Sequence, residues 1–243
     1  MVNEMSTEDL SAIIAQGADD LGIDIHPRSS VMFEKYFGFL EEQGEIVNLT
    51  AITGVQDVAR FHFLDSLAVL NSAIFPDSRV IDVGSGAGFP GMPLKIAEPA
   101  IDLTLLDASG KRITFLSELC SLLGLEVAFI HERAETASKI LEIRESFDIA
   151  LSRAVAPLNL LCELCLPFVR LGGLFIAMKS ITSEDEIAEA GTAIKTLGAA
   201  LLETSDYTIP GTEVKHRIIS LLKVSPTPEK YPRRFARIQN TPL

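Results

Sequence analysis

The stretch RVIDVGSGAGFPGMPLKI, residues 79–96, decides the fold of this 243-residue chain. Its first part, residues 79–84, is short and apolar, which is typical of a buried strand. Four glycines then lie between residues 84 and 91, and an apolar segment continues as a predicted helix to Ala97. Glycines between a strand and a helix allow a tight turn and a close approach of a ligand to the backbone. The N–H groups at the start of such a helix suit an anionic group.

From residue 79 onward, short apolar runs alternate with helical segments, which predicts a parallel sheet covered by helices on both faces. The end of the chain differs, because the turn Pro210-Gly211-Thr212 joins two strand-like runs, and so short a connection can join only antiparallel strands. Five parallel strands closed by an antiparallel hairpin are typical of class I methyltransferases, whereas a two-halved dinucleotide-binding fold would keep alternating. The predicted strands are 79–84, 102–108, 125–131, 147–152, 173–179, 199–209 and 213–224.

The first third of the chain is helical by pattern and contains no convincing strand. Ser6 is a predicted N-cap for a helix to about Leu21, a second helix follows the break at His26-Pro27, and a third covers 57–73. The pattern predicts an N-terminal helical segment (1–76) packed on a catalytic domain (77–224) and followed by a basic tail (225–243).

Composition excludes several classes of protein. No run approaches the ~20 apolar residues of a membrane-spanning helix, and the acidic start lacks the features of a secretory signal. Three cysteines do not form a disulfide framework, so we expect a cytoplasmic protein without a membrane partner. The pair Cys162 and Cys165 lies in an apolar helix, and no metal site is expected there. The net charge of −12 argues against indiscriminate binding of nucleic acid, although the basic tail could contact phosphates or remain solvated.

Two carboxylates distinguish between the cofactors that the glycine loop could hold. Residues 86–91 fit the GxGxxG pattern, so a nicotinamide or flavin enzyme is an alternative. Asp82, just before the loop, would suit the ammonium group of methionine, unless it only braces the loop. Asp107, at the end of the second strand, could accept the ribose hydroxyls, unless it is a helix N-cap. Together with the terminal hairpin, these residues favour S-adenosylmethionine.

Six strings extend this interpretation over nearly the whole chain, and they resemble the bacterial small-subunit rRNA guanine-N7 methyltransferases, the RsmG or glucose-inhibited division protein B family. The resemblance implies a class I methyltransferase with a Rossmann-like, mostly parallel seven-stranded sheet and an N-terminal helical extension. It implies methyl transfer to N7 of a guanine in 16S rRNA, the 527-type guanine, within a small-subunit particle, by a monomer. The strings are NLTAIT (48–53), HFLDSL (62–67), 79–96, LLDASGKRITFL (105–116), SRAVAPL (152–158) and YPRR (231–234).

The resemblance also implies a set of cofactor-binding residues. Phe89 would close the methionine end, Ala134 and Glu135 would lie at the adenine edge, and Arg153 would contact the cofactor carboxylate or an RNA phosphate. Core packing for Phe89 and a surface ion pair for Arg153 are the alternatives. With the loop and second-strand residues, the predicted cofactor set is Gly84, Ser85, Gly86, Phe89, Asp107, Ala134, Glu135 and Arg153.

Transfer to N7 displaces no ring proton, so no general base is required and positioning would dominate catalysis. For that reason His62 and Asp65, three residues apart on a helix, are assigned a structural or RNA-facing role, and Arg153 a positioning role. A methyltransferase or aminopropyl transferase for small molecules and an inactive cofactor-binding regulatory module are the alternatives. The predicted RNA contacts are Asn48, His62, Lys111, Arg112, Arg133, Lys179, Arg233 and Arg234.

Overall fold

The central feature of the computed structural model is one seven-stranded sheet with helices on both faces. Strand order is β3-β2-β1-β4-β5-β7-β6, with β1 to β5 parallel and β7 antiparallel to both of its neighbours. The predicted class I methyltransferase topology is therefore confirmed. The structure describes residues 7–47, 52–72, 76–153, 156–181 and 184–243. The strands are β1 (Arg79–Val83), β2 (Asp102–Asp107), β3 (Ala128–His131), β4 (Phe147–Arg153), β5 (Val169–Ser180), β6 (Ala199–Thr208) and β7 (Lys215–Lys223).

The N-terminal part is helical, as predicted. The third predicted helix is irregular, because its middle widens into a π-helical turn, a distortion that often accompanies functional sites. This part comprises α1 (Thr7–Asp20), α2 (Pro27–Val47), α3 (Val55–Val58), a π-helical segment (Ala59–Leu64), α4 (Asp65–Leu67) and a 3-10 segment (Ala68–Ser72).

The helices between the strands follow the predicted alternation, with one clear difference. Between β5 and β6 the chain forms two short helices separated near Ala190, and not the single helix that the alternation predicts. These helices are α5 (Gly91–Ala97), α6 (Gly110–Leu123), α7 (Ala134–Ala137), α8 (Leu158–Cys165) with a 3-10 turn (Leu166–Phe168), α9 (Glu184–Glu189) and α10 (Gly191–Thr196). Of the helices in the described ranges, none is long and apolar enough to cross a membrane.

Two apolar cores lie on opposite faces of the sheet. On one face, side chains of α1, α2 and the π-helical segment, such as Leu10, Phe33 and Phe63, share a core with α5 and α6. On the other face, α8 and α10 pack on the sheet, and Cys162 and Cys165 are buried there as small apolar side chains. The N-terminal helices therefore pack against the glycine loop through a common core.

The C-terminal tail folds back onto the protein, which differs from the solvated terminus considered from the sequence. It contains a helix, α11 (Phe235–Asn240), whose Ile238 is fully buried in the second core. The guanidinium of Arg144 donates to the carbonyls of Thr227 and Tyr231, at 3.0 and 3.1 Å. These bonds fix the tail because buried carbonyls need donors.

Candidate cofactor and substrate site

A cavity of about 450 Å³ lies at the carboxyl ends of β1, β2 and β4, where open α/β sheets bind their ligands. This volume lies within the usual range for a small-molecule site. It brings together most of the predicted cofactor residues with several residues that were not predicted, among them Phe235 of the tail. Among its lining residues are Gly84, Gly86, Asp107, Arg112, Arg133, Ala134, Glu135, Arg153 and Phe235.

Backbone hydrogen bonds hold the glycine loop over the end of β2. The N–H groups of Gly84 and Ser85 both donate to the carbonyl of Leu106, at 2.8 and 3.1 Å. The hydroxyl of Ser85 donates to the carbonyl of Asp82 at 2.9 Å, and the residue is almost fully buried. The hydroxyl therefore stabilises the loop from below, and Ser85 stays a predicted cofactor residue.

Asp82 also acts within the loop and not at its surface. The side chain is fully buried, and its Oδ2 accepts the N–H of Gly91 at 2.9 Å. Burial raises the pKa of Asp82 to about 7, against the opposing effect of the Gly91 hydrogen bond. The expected contact with a methionine ammonium is wrong, because protein atoms seal this carboxylate from the cavity. The alternative interpretation, a loop-bracing carboxylate, is the one that the structure supports.

Asp107 lines the cavity and braces the backbone around it, whereas the N-cap position of α6 belongs to Ser109. Its Oδ2 accepts the N–H of Gly86 at 3.0 Å, and its Oδ1 accepts the N–H of Ser109, the N-cap residue of α6, at 2.8 Å. Arg112 lies 3.4 Å from Oδ2. Because Asp107 lines the cavity and a carboxylate offers about four lone-pair sites, it retains capacity to accept a ligand hydroxyl.

Phe89 lies beneath the site and lines neither of the two cavities described here. Its ring stacks between Tyr36 and His62, with centroid distances of 5.4 and 4.4 Å. The Cζ atom of Arg153 lies 5.0 Å from the Phe89 centroid, a cation–π distance. Phe89 thus supports His62 and Arg153 from below, while its predicted place at the methionine end of the cofactor stays a prediction.

Tyr36 of α2 links the N-terminal helices to the glycine loop through a hydrogen bond. Its hydroxyl donates to the carbonyl of Ala87 at 2.5 Å. Gly88 has a φ of +104°, and a Cβ built there would lie 2.6 Å from Tyr36 Oη. Both the backbone angle and the contact therefore require glycine. No local pattern points to Tyr36, because its partner lies 51 residues away.

Arg153 lines both the first cavity and a second one. Its Nη1 donates to Asp65 Oδ2 at 2.9 Å and to the Phe61 carbonyl at 3.0 Å, and Nη2 lies 3.1 Å from His62 Nδ1. Burial, reinforced by the Arg153 charge, lowers the pKa of His62 to about 4. His62 is therefore neutral at neutral pH, so its Nδ1 can accept from the guanidinium. The alternative of a surface ion pair for Arg153 is wrong, because its Asp65 partner is almost fully buried.

Asp65 joins Arg153 to the terminal hairpin. Its Oδ1 accepts the hydroxyl of Tyr207 and pairs with His216 Nδ1, both at 2.7 Å. Burial alone would raise the pKa of Asp65, but the His216 hydrogen bond and the Arg153 charge lower it below its usual value. Tyr207 and His216 are directly opposite each other in the β6–β7 pairing. The sequence alone did not predict this strand register.

The second cavity encloses about 700 Å³ beside the first. It lies between the N-terminal helices, the ends of β4 and β5, α9 and the start of β7. Arg153 lines both cavities, so a ligand bound in the first cavity would lie next to a ligand bound in the second. Its lining includes Ile52, Phe61, His62, Asp65, Arg153, Pro157, Met178, Lys179, Glu186 and His216.

The predicted RNA contacts are distributed over several places. Lys111 and Arg234 are exposed, and Arg133 is exposed at the rim of the first cavity, with its guanidinium 5.8 Å from the Phe235 ring. Arg112 lies at the same rim beside Asp107. His62 and Lys179 line the second cavity, where only a group that enters it could touch them. Asn48 lies outside the described residues.

Arg233 is the predicted RNA contact that the structure contradicts. Its guanidinium makes a bidentate pair with Glu163 of α8, with Nη2–Oε2 at 2.6 Å and Nε–Oε1 at 2.9 Å. Glu163 is fully buried, and the pair raises the pKa of Arg233. Because a buried carboxylate needs this partner, the guanidinium holds the tail to α8 and is not available to a phosphate.

The chain is similar to known proteins over most of its length. The sequence model of the family described as rRNA small subunit methyltransferase G matches residues 30–213. The chain is 44% identical over 233 residues to the ribosomal RNA small subunit methyltransferase G of Thermoanaerobacter pseudethanolicus, covering 95% of this chain and 97% of that protein. It is 45% identical over 235 residues to the protein of the same name from Caldanaerobacter subterraneus subsp. tengcongensis, covering 95% and 97%.

Solved structures show the same fold at much lower identity. The crystal structure of P. horikoshii TYW2 in complex with MeSAdo matches with a TM-score of 0.52 and 15% identity, over 68% of this chain and 65% of that one. That likeness concerns the fold alone, whereas the family match and the relatives extend over nearly all of the sequence. The chain belongs to the rRNA small subunit methyltransferase G family.

Proposed function

We propose that the protein transfers a methyl group from S-adenosylmethionine to N7 of a guanine in 16S rRNA, the 527-type guanine of the small subunit. The observation that carries the proposal is the meeting of two cavities at Arg153, one behind the glycine loop and one behind the N-terminal helices. This arrangement lets a methyl donor and a flat acceptor lie on either side of one positioned guanidinium. The names of the relatives support ribosomal RNA as the acceptor.

The residues present fit S-adenosylmethionine. The glycine loop leaves open backbone beside the cavity, and Asp107 at the end of β2 can accept ribose hydroxyls. Ala134 and Glu135 lie on the far side, where the adenine edge would sit. When bound, the cofactor supplies an activated methyl group on a sulfonium. We propose Gly84, Gly86, Asp107, Ala134, Glu135 and Arg153 as the residues that hold it.

The chain then needs only to position the reactants. The bound cofactor would supply the methyl group and N7 would accept it through its lone pair, so no residue of the chain would need to remove a ring proton. Consistent with this, His62 is neutral and occupied by Arg153, and Asp65 is occupied by three donors. Arg153, fixed by Asp65 and supported by Phe89, is the proposed positioning residue.

The proposed partner is 16S rRNA within a small-subunit particle. The acidic body leaves only a few basic side chains near the cavities, so a structured particle that presents the target nucleotide suits this surface better than free RNA. The protein is proposed to act as a monomer, and its ribosomal substrate implies a cytoplasmic location.

The test uses small ribosomal subunits that lack N7-methylguanine, together with tritiated S-adenosylmethionine. We expect one labelled methyl group per subunit, located by chemical cleavage at N7-methylguanine. Label in a small metabolite, with none in rRNA, would refute the proposal.

A further inference from the structure

We propose that the second cavity is a guanine-selective pocket in which the Lys179–Glu186 ion pair reads the O6 and N1 positions of the target base. This inference rests on the proposed function, and it identifies the residues that determine specificity for the target base. Neither the sequence motifs nor the family match assigns a role to Glu186.

The pair is held rigidly at the cavity wall. Lys179 Nζ lies 2.7 Å from Glu186 Oε2, and the two side chains are 10% and 30% exposed. The ammonium also donates to the carbonyl of Ala156 at 2.9 Å, and the same carboxylate oxygen accepts the N–H of Leu158 at 2.9 Å. Because the backbone at the start of α8 anchors both groups, little side-chain entropy remains to be lost when a base binds.

The hydrogen-bonding pattern of the ion pair is complementary to guanine and not to adenine. It presents a donor, the ammonium, directly beside an acceptor, the carboxylate. Guanine carries the complementary order, with the acceptor O6 beside the donor N1–H, whereas adenine carries a donor amino group beside the acceptor N1. Glu186 Oε1 makes no hydrogen bond within the described ranges, so it can accept N1–H or the N2 amino group of guanine.

The order of residues along the wall also places N7 correctly. Arg153, which borders the cofactor cavity, is the register partner of Met178 across β4 and β5, and Lys179 follows next along the strand. Arg153 lines both cavities, whereas Lys179 and Glu186 line only the second, so the ion pair lies beyond Arg153 as seen from the first cavity. Around the purine, N7, O6 and N1 follow one another in that order. A base read by the ion pair would therefore direct N7 toward the methyl donor.

This arrangement changes the role of Lys179. The sequence indicates RNA phosphates as its partners, which suits an exposed lysine. A lysine that is largely buried, paired with a carboxylate and inside a cavity is better placed to contact the edge of a base extruded from the RNA.

The test compares guanine with 2-aminopurine, which lacks O6 and N1–H but keeps N7. Ligated 16S rRNA carrying either base at the target nucleotide is assembled into small subunits, and kcat/KM is measured. The wild-type protein should prefer guanine on the order of 100-fold. Lys179→Met/Glu186→Gln should lower that ratio to about 10-fold or less, because the new amide oxygen could still accept the N–H of Leu158 but the donor and the charged acceptor are gone. Guanine and 2-aminopurine differ in the intrinsic reactivity of N7, but this difference is the same for every variant and therefore cancels when the ratios of two variants are compared.

The matched control is Arg170→Met/Asp148→Asn, which removes an ion pair at the opposite ends of β4 and β5. It should keep the wild-type ratio, and both double variants should bind S-adenosylhomocysteine like the wild type. If Lys179→Met/Glu186→Gln does not bind it, the single variant Glu186→Gln replaces it in the same comparison. An unchanged ratio in the pair variant would overturn the inference while leaving the proposed function intact. Absence of N7 label with wild-type protein would instead refute the proposed function itself.

Discussion

Replacement of Asp65 by asparagine is expected to be strongly destabilising and to reduce activity. Asp65 is 2% exposed, and its carboxylate accepts hydrogen bonds from Arg153, Tyr207 and His216 at 2.7–2.9 Å. An asparagine would keep the shape but remove the charge, and its NH₂ group would face a donor. The buried guanidinium of Arg153 would then lose its counter-ion.

The magnitude follows from the burial of the pair. Removing one partner of a buried ion pair costs about 3–5 kcal/mol. With a urea slope of about 2.5 kcal/mol/M, the unfolding midpoint should fall by about 1–2 M. Because Arg153 lies at the junction of the two cavities, a shift of about 1 Å in its position should lower kcat/KM on the order of 100-fold.

Urea unfolding and tritium transfer to small subunits measure the two effects. The matched control is Asp102→Asn, which removes the same charge from a carboxylate that pairs with Arg79 in an ion pair whose side chains are 65% and 47% exposed. This variant should leave the unfolding midpoint and the turnover unchanged. If Asp65→Asn also retained wild-type stability and activity, the description of Asp65 as the anchor of Arg153 would be refuted.

Three further predictions concern the loop, the tail and pH. Gly88→Ala should destabilise the protein by about 2–3 kcal/mol, because its φ is +104° and its Cβ would meet Tyr36; Gly38→Ala, in open space on α2, should not destabilise it, as unfolding of both variants will show. Phe235→Ala should raise the Kd for S-adenosylhomocysteine about tenfold in calorimetry, because that ring lines the cofactor cavity; Arg237→Ala, on the exposed side of α11, is the control, and equal affinities would contradict the tail's role. The pKa of His62 is lowered to about 4, so the unfolded chain binds the extra proton between pH 6.5 and 4, and stability falls as pH decreases through that window by roughly 3 kcal/mol in all. His62→Gln should flatten this slope in urea unfolding measured from pH 7 to 4, whereas the exposed His131→Gln should not; an equal slope in all three proteins would exclude His62 as its source.

Local sequence was sufficient for most of the fold, because buried parallel strands, glycine loops and short turns are specified by neighbouring residues. The seven strands and the closing hairpin appeared where predicted, except that β5 begins earlier than predicted and β3 and β7 begin later. The π-helical turn at Ala59–Leu64 and α11 were not predicted, because packing against distant elements decides both. The division at residues 76 and 224 remains a prediction.

The candidate site was predictable only in part. The glycine loop, Asp107, Ala134, Glu135 and Arg153 were predicted, and they border one cavity. The role of Asp82 was misassigned, because residue spacing does not reveal that this carboxylate is buried beneath the loop, and spacing did not indicate that Phe89 lies under Arg153 either.

The sequence by itself determined the order of strands and helices, the glycine loop and the family, since each depends on residues close together or on matched strings. Only the tertiary structure decided which charges meet. Asp65 is hydrogen-bonded to Arg153, Tyr207 and His216, which lie 88 to 151 residues away along the chain. Glu163 is paired with Arg233 of the tail. In the folded chain, burial makes such pairs necessary, because a buried charge without a partner is costly. No local sequence pattern predicts them, because the partners are far apart along the chain.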